Sequence, residues 1–339
     1  MIKSLPLLAI VMLTLLVSCG KDNDSPESER PEETPENPQA PNTPGQDTLS
    51  AGWSKTKISD TALFDIIFQD SQIGYCGGTF FYQTTDGGAS WTRLNNPSSS
   101  SNLFLTPNGT LHGLNINNGG AYRYRRETGE YYRFNSSQFA SSYGDLYFLD
   151  EQTGFTIFSS GLYVTKDSGT SYSKINVTGI NINYDSQEFA LYFQDENNGL
   201  LGVGGSIFKS QGNTSSWNPS NKPAYNNGPV NSFSSPGNNL IFAGLANAVI
   251  LKSTDGGINF TEISQLQEPE SQRFNDIHFL DANNGYACYS NRIFKTTNGG
   301  VSWTKVVSLN NDGIVEIDFT DANHGWACTV NGFVLRFKK

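Results

Sequence analysis

From Leu63 to the C-terminus, short apolar runs rich in β-branched and aromatic residues alternate with breaks of Gly, Asn, Asp and Ser. The runs are too short for helices and hold no sustained 3.6-residue period, so they predict strands. The first full set reads as four strands. Asp65-Ile66-Ile67-Phe68 is strand a, and Gly74-Tyr75-Cys76 opens strand b after a turn at Gln69 to Ile73. Phe80 to Thr84 is strand c, Thr85-Asp86-Gly87-Gly88 is a tight turn, and Ser90 to Leu94 is strand d. The set recurs, marked each time by a Phe in strand a: Phe68, Phe104, Phe148, Phe193, Phe233, Phe279 and Phe319, with gaps of 36, 44, 45, 40, 46 and 40 residues.

A period of this length means stacked or radial units, none of which buries its apolar face alone. Four strands per unit and seven units predict an all-β, seven-bladed β-propeller with four-stranded blades. The seventh copy stops at Phe333 to Phe337, in strand c, while Gly52 to Ile58 resembles a spare strand d ahead of the first strand a. The sequence therefore predicts closure by an N-terminal outer strand, which removes an open sheet edge.

The N-terminus has a different character. Lys3 precedes an apolar stretch from Leu5 to Val17, and Leu16-Val17-Ser18-Cys19 resembles a bacterial lipobox with Cys19 as the lipidated residue. This predicts a lipoprotein signal peptide over 1–18. Residues 20–49 hold six prolines, eight acidic and two basic residues, and almost no large apolar side chains. That composition predicts a disordered acidic, Pro-rich tether over 19–49, with the propeller over 50–339. The acidic start after Cys19 resembles the signals of outer-membrane, surface-exposed lipoproteins. The expected membrane contact is thus an N-terminal lipid rather than a spanning helix. The chain carries a net charge of −10, of which about −5 falls on the propeller. A mildly acidic body excludes nucleic acid as the expected partner, and a single closed propeller is expected to be monomeric.

Of four cysteines, Cys288 and Cys328 share a strand-b position in adjacent copies, and Cys76 sits one residue earlier in its copy. Cys288 and Cys328 should not meet. Cys76 and Cys328 face each other across the closing contact if strand b has the right sense, so the sequence allows either three buried thiols or a Cys76–Cys328 bridge.

The repeated acids read as structural. Asp86, Asp167 and Asp255, with Asn298 in the same place, stand in Gly-rich turns where a carboxylate or amide oxygen accepts local N–H groups. Asp70, Asp150, Asp195, Asp281 and Asp321 recur two residues after the marker Phe, with the same reading. Asp65, Asp145, Asp276 and Glu316 stand three residues before that Phe, where they are expected as solvated strand starts. A bound cation at the channel mouth is their alternative, since hard cations take carboxylate oxygens. A site for one asymmetric ligand should instead use side chains that break the repeat. Tyr143, Tyr184, Asp185, Tyr225, Arg273 and Phe274 do so in the connections from strand d to the next strand a, as do Phe139 and Gln272. Loops carried by a rigid scaffold commonly hold function.

The stretch Thr84 to Trp91 resembles the Asp-box (BNR) motif, with looser matches at Thr165 to Tyr172, Ser253 to Phe260 and Thr296 to Trp303. With the Phe-x-Asp…Gly-Tyr/Trp half-repeat, residues 51–339 resemble the photosystem II stability/assembly factor-like family of Asp-box propellers. That resemblance implies a propeller that binds a polypeptide, and related bacterial lipoproteins carry the same repeats. The expected role is a lipid-anchored cell-envelope binding or assembly module for a protein or glycan. The alternative is a glycoside hydrolase or lyase with carboxylates on the same loop face. Catalytic signatures are lacking: there is no Gly-x-Ser-x-Gly elbow, no Arg-Ile-Pro, and the three histidines show no metal-ligand spacing. No catalytic residue, cofactor or resident metal is expected.

Overall fold

The computed structural model describes residues 46–339 except 96–98, 116–119, 135–138, 140–143, 183–188, 225–227 and 267–273. These residues build seven antiparallel sheets, one per repeat, and their strands follow one another a to d from the centre outward. Blade 1 comprises Leu63–Phe68, Gly74–Gly78, Phe81–Thr84 and Thr92–Leu94. Blade 2 comprises Ser101–Leu105, Thr110–Leu114, Ala121–Arg125 and Glu130–Phe134. Blades 3, 4 and 5 run over 144–175, 189–219 and 230–265. Blade 6 begins at Phe274–Phe279 and ends at Thr304–Ser308, and blade 7 holds Ile314–Asp321, His324–Thr329 and Phe333–Lys338. Contacts between successive strands a join each blade to the next, including blade 7 to blade 1. The all-β, seven-bladed architecture read from the repeat is the architecture observed.

Closure follows the sequence reading. Trp53–Lys57 pairs antiparallel with blade 7, from Trp53 opposite Phe337 to Lys57 opposite Phe333. A second N-terminal device lies outside that reading: Thr48 and Leu49 pair with Ser308 and Val307, adding a fifth strand to blade 6. Lys55 ties the segment down, 3.0 Å from Asp47 and 3.1 Å from Asp312.

The marker residues explain why the repeat looks as it does. In five blades the marker Phe pairs with a strand-b glycine, at Phe68–Gly74, Phe148–Gly154, Phe193–Gly199, Phe279–Gly285 and Phe319–Gly325. Each ring lies flat over its glycine; a Cβ at Gly74 would stand 2.4 Å from the Phe68 ring, and one at Gly325 only 2.1 Å from Phe319. The other face of the ring stacks on a strand-b aromatic of the preceding blade. Phe68 stacks on Trp326 at 3.5 Å, Phe193 on Phe155 at 3.9 Å, Phe279 on Phe242 at 3.5 Å, and Phe319 on Tyr286 at 3.8 Å. Phe148 stacks at 3.7 Å on His112, which takes the aromatic slot of blade 2. One aromatic and one glycine per unit thus define both the in-blade and the between-blade contact. Most of the core lies in these wedges between blades.

Candidate functional site

Among the described residues, the repeated polar side chains are engaged within the fold. In the turn of blade 1, Asp86 Oδ1 accepts the Ser90 amide at 2.9 Å and Oδ2 accepts its hydroxyl at 2.6 Å. Thr84 Oγ1 donates to Asp86 and accepts the Gly88 amide at 2.9 Å. The same set recurs with Thr165, Asp167, Gly169 and Ser171; with Ser253, Asp255, Gly257 and Asn259; and with Thr296, Asn298, Gly300 and Ser302. The bonds from Ser90 hold the Asp86 carboxyl down at about 2. For Asp255, burial pushes up, but bonds from Asn259 and Ser253 outweigh it and leave the group at about 2. The second acidic set caps the a–b turns: Asp70 Oδ1 accepts the Gln72 and Ile73 amides at 2.7 and 2.8 Å. Asp150, Asp195, Asp281 and Asp321 repeat that arrangement.

The third acidic set departs from expectation. Asp65 and Asp276 are buried, not solvated, at 7% and 6% exposure. A register shift between Leu63 and Asp65, repeated between Phe274 and Asp276 and between Ile314 and Glu316, interrupts strict alternation beside the acid. Carboxylates of this set clamp the next blade. Asp65 accepts the Leu103 amide at 2.6 Å, Asp145 that of Leu191 at 2.7 Å, and Asp276 that of Ile317 at 3.3 Å. Asp318, which sequence reasoning passed over, accepts the Phe68 amide at 2.6 Å and so stitches blade 7 to blade 1. Ser234 does the same for Phe279 at 2.8 Å. Burial, and then the charges of Asp276, Asp318 and Asp145, push Asp65 up to about 8 despite its amide bond from Leu103. Burial lifts Asp145 to about 6 and Glu316 well above the carboxylate range, Glu316 being also beside Asp276 and Asp65. Among the described residues no group of three or more His, Cys, Asp and Glu is arranged to hold a metal ion.

The aromatic candidates divide. Phe274 is fully buried: its ring fills the space over Gly244, where a Cβ would stand 2.0 Å away. Phe139 is buried against Phe158 and Tyr163. Phe274 holds the buried strand-start slot that Leu63 and Ile314 fill in their own blades, so it belongs to the repeat after all, whereas Phe139 fills a gap between blades 2 and 3; neither ring presents a face to a ligand. Tyr143, Tyr184, Asp185, Tyr225, Gln272 and Arg273 lie outside the described residues.

The two faces of the ring are distinct where described. The b–c turns meet the d–a connections, as in the Ser100 amide bond to Gly78 and the Val330 amide bond to Gly313. The a–b turns meet the c–d turns, as where the Gly87 amide bonds Gln72. On the first face a shallow hollow is lined by Asp47, Lys55, Asn310, Asp312, Asn331 and Phe333. Some connections also brace the opposite turns: Thr178 bridges Ser216, and Asn221 bridges Asn259. Sequence reasoning also missed a local concentration of arginines. Arg123, Arg125, Arg126 and Arg133 all lie in or beside the outer strands of blade 2. Arg123 and Arg125 both pair with Glu130, at 3.1 and 2.7 Å.

The histidines do not assemble. His112 is buried and held down at about 3 by burial and then by Arg123 and Arg125, so it stays neutral. His278 lies 3.6 Å from Asp318, and His324 lies 2.9 Å from the turn residue Asp321.

The chain is thus a seven-bladed propeller whose repeated acids and aromatics build the ring. No family model and no curated protein matches it. Solved structures do. YCF48 bound to D1 peptide is 16% identical, over 88% of this chain and 99% of that one, with a TM-score of 0.66. YCF48 from Cyanidioschyzon merolae is 16% identical, over 85% and 99%, also with a TM-score of 0.66. Virginiamycin B lyase from Staphylococcus aureus is 12% identical, over 85% and 99%, with a TM-score of 0.67. At these identities the likeness shows a shared fold. It extends to a propeller recorded with a bound peptide and to a propeller that is a lyase.

Proposed function

We propose that this chain is a lipid-anchored binding or assembly module of the bacterial cell envelope. Cys19 carries the lipid, the acidic segment after it spaces the propeller from the outer membrane, and the propeller is displayed at the cell surface. Its d–a loop face takes a protein segment or a glycan, through Tyr143, Tyr184, Asp185, Tyr225 and Arg273. The observation that carries this reading is a division of labour. The repeated carboxylates, read as structural from the sequence, are bonded to backbone amides within the fold, which leaves side chains that occur once to recognise a partner that occurs once. Tyrosine suits the task, with a large apolar face, a polar tip and few torsions to freeze. A peptide-bound propeller of the same fold supports a polypeptide as the partner, in line with the resemblance to the assembly-factor family.

The test is to present the purified full chain to arrays of envelope-protein peptides and of bacterial and host glycans. Retention of a ligand without turnover, lost on alanine substitution of Tyr184 or Tyr225, is the expected result. Cleavage of the retained ligand would move the chain to the lyase or hydrolase reading. Binding that survives all loop-face substitutions would refute the site.

A further inference from the structure

The alternation along strand b decides which cysteines can meet. In blade 7, Trp326 points toward blade 1, where it stacks on Phe68. Cys328, two residues on, shares that side. In blade 1, Tyr75 packs toward blade 2, in one cluster with Leu103 and Leu111, so Cys76 points back toward blade 7. The two thiols therefore face each other across the junction where the ring closes. Both are fully buried in one cluster with Leu63, Ile66, Phe68 and Trp326, so the two thiols share one wedge between the blades. Cys288 provides a contrast. It has the same position in blade 6 and points toward blade 7, but the strand-b residue facing it there is Ala327, and its thiol is directed at the Val315 carbonyl.

We propose that Cys76 and Cys328 are a redox pair whose disulfide locks blade 7 to blade 1, while Cys288 remains a thiol. All three are thiols in this structure. The oxidant is a disulfide, either oxidised glutathione or a protein disulfide oxidase. One cysteine thiolate attacks it, displacing the first thiol and forming a mixed disulfide; the second cysteine then displaces the other half. The two protons given up by Cys76 and Cys328 end on the two thiols of the reduced oxidant. Full burial shields both thiols once the ring has closed, so exchange belongs to folding, before blade 7 docks. The lock complements the outer strand. Trp53–Lys57 closes the rim by hydrogen bonds, and the disulfide would close the inner half of the same junction across nearly the whole propeller sequence.

The experiment refolds the full chain in a reduced/oxidised glutathione buffer, alkylates remaining thiols and maps peptides without reduction. A linked Cys76–Cys328 peptide with alkylated Cys288 is expected. The oxidised protein should melt roughly 5–10 °C above the dithiothreitol-reduced protein, because the cross-link spans a long loop. Cys76→Ser and Cys328→Ser should lose that rise, and Cys288→Ser should keep it. Alkylation of both Cys76 and Cys328 after oxidative refolding would overturn the proposal. So would a bridge through Cys288 or Cys19, or an oxidised form that melts no higher. The wild-type map decides the pairing even where a serine variant fails to fold.

Discussion

Replacing Trp53 by alanine tests whether the N-terminal strand carries the ring closure. Trp53 is only 9% exposed although it lies on an outermost strand. Its ring sits 5.4 Å from Phe337 and edge-on to Phe319 at 6.2 Å, in a cluster that also holds Ile317 and Leu335. Truncating a packed Trp to Ala costs about 3–5 kcal/mol, and a rim position that relaxes easily puts the value near the lower end. At roughly 2–4 °C per kcal/mol for a domain of this size, the melting midpoint should fall by about 6–12 °C. The ladder from Ser54 to Lys57 remains in the variant, so unfolding should stay cooperative. Differential scanning calorimetry provides the readout, with Lys57→Ala as control. Lys57 forms an exposed ion pair with Asp60 and lies 5.5 Å from the Phe333 ring, both weak contacts at the surface, so its loss should stay within about 1 kcal/mol. A Trp53→Ala midpoint within about 1 °C of wild type would refute the reasoning, because the strand would then be an ornament on a ring that closes without it.

Three further outcomes follow from named contacts. Asp65 has its folded pKa raised to about 8 from 3.8, and Asp145 to about 6. The folded state therefore holds these protons more tightly, and their contribution is complete below pH 4 and lost as pH rises toward 8. The melting midpoint should be higher at pH 5.5 than at pH 8.5, and Asp65→Asn should flatten that slope; an unchanged slope contradicts the burial of Asp65 among the inner-ring acids. Gly325→Ala drives a methyl into the Phe319 ring, and chemical denaturation should show a loss of about 1–3 kcal/mol; a neutral result would mean that the glycine–phenylalanine pairing does not set the blade. Cys19→Ala should abolish lipid labelling and release a soluble propeller, and its retention as an integral membrane protein would rule out the lipid anchor.

The parts of the fold legible in the sequence are those encoded by burial at a fixed spacing. The marker Phe and the Gly-aromatic pair recur because every wedge between blades has nearly the same shape, so the repeat spells the contact. The closing strand was legible for the same reason: Trp53 stands where other copies have a strand-d aromatic. Thr48 and Leu49 were not, since two residues carry no periodicity and sit beside a Pro-rich stretch. The partner of Asp65 was also hidden. A solvated strand start and a buried acid look alike in one dimension, and the amide it binds is Leu103, in the next blade. Asp318 had no signal, because the same position holds Ile67, Tyr147 and His278 in other copies. Phe139 misled for the opposite reason: breaking the repeat marks a unique environment, which here is a gap filled rather than a ligand held. Phe274 misled because its slot, held by Leu63 and Ile314 in other blades, is repeated in burial but not in residue type.

The most direct test of the account separates ring-building from recognition. Affinity and melting midpoint should be measured together for two sets of alanine variants, using the peptide or glycan retained in the array screen. Asp86→Ala and Asp255→Ala should lose stability, each giving up a turn cap worth roughly 1–2 kcal/mol, while the folded protein binds as wild type does. Tyr184→Ala, Tyr225→Ala and Arg273→Ala should keep the midpoint and lose affinity, by about tenfold or more where the side chain is an anchor. The opposite pattern, affinity lost with the turn variants at unchanged stability, would place recognition on the turn face and contradict the account.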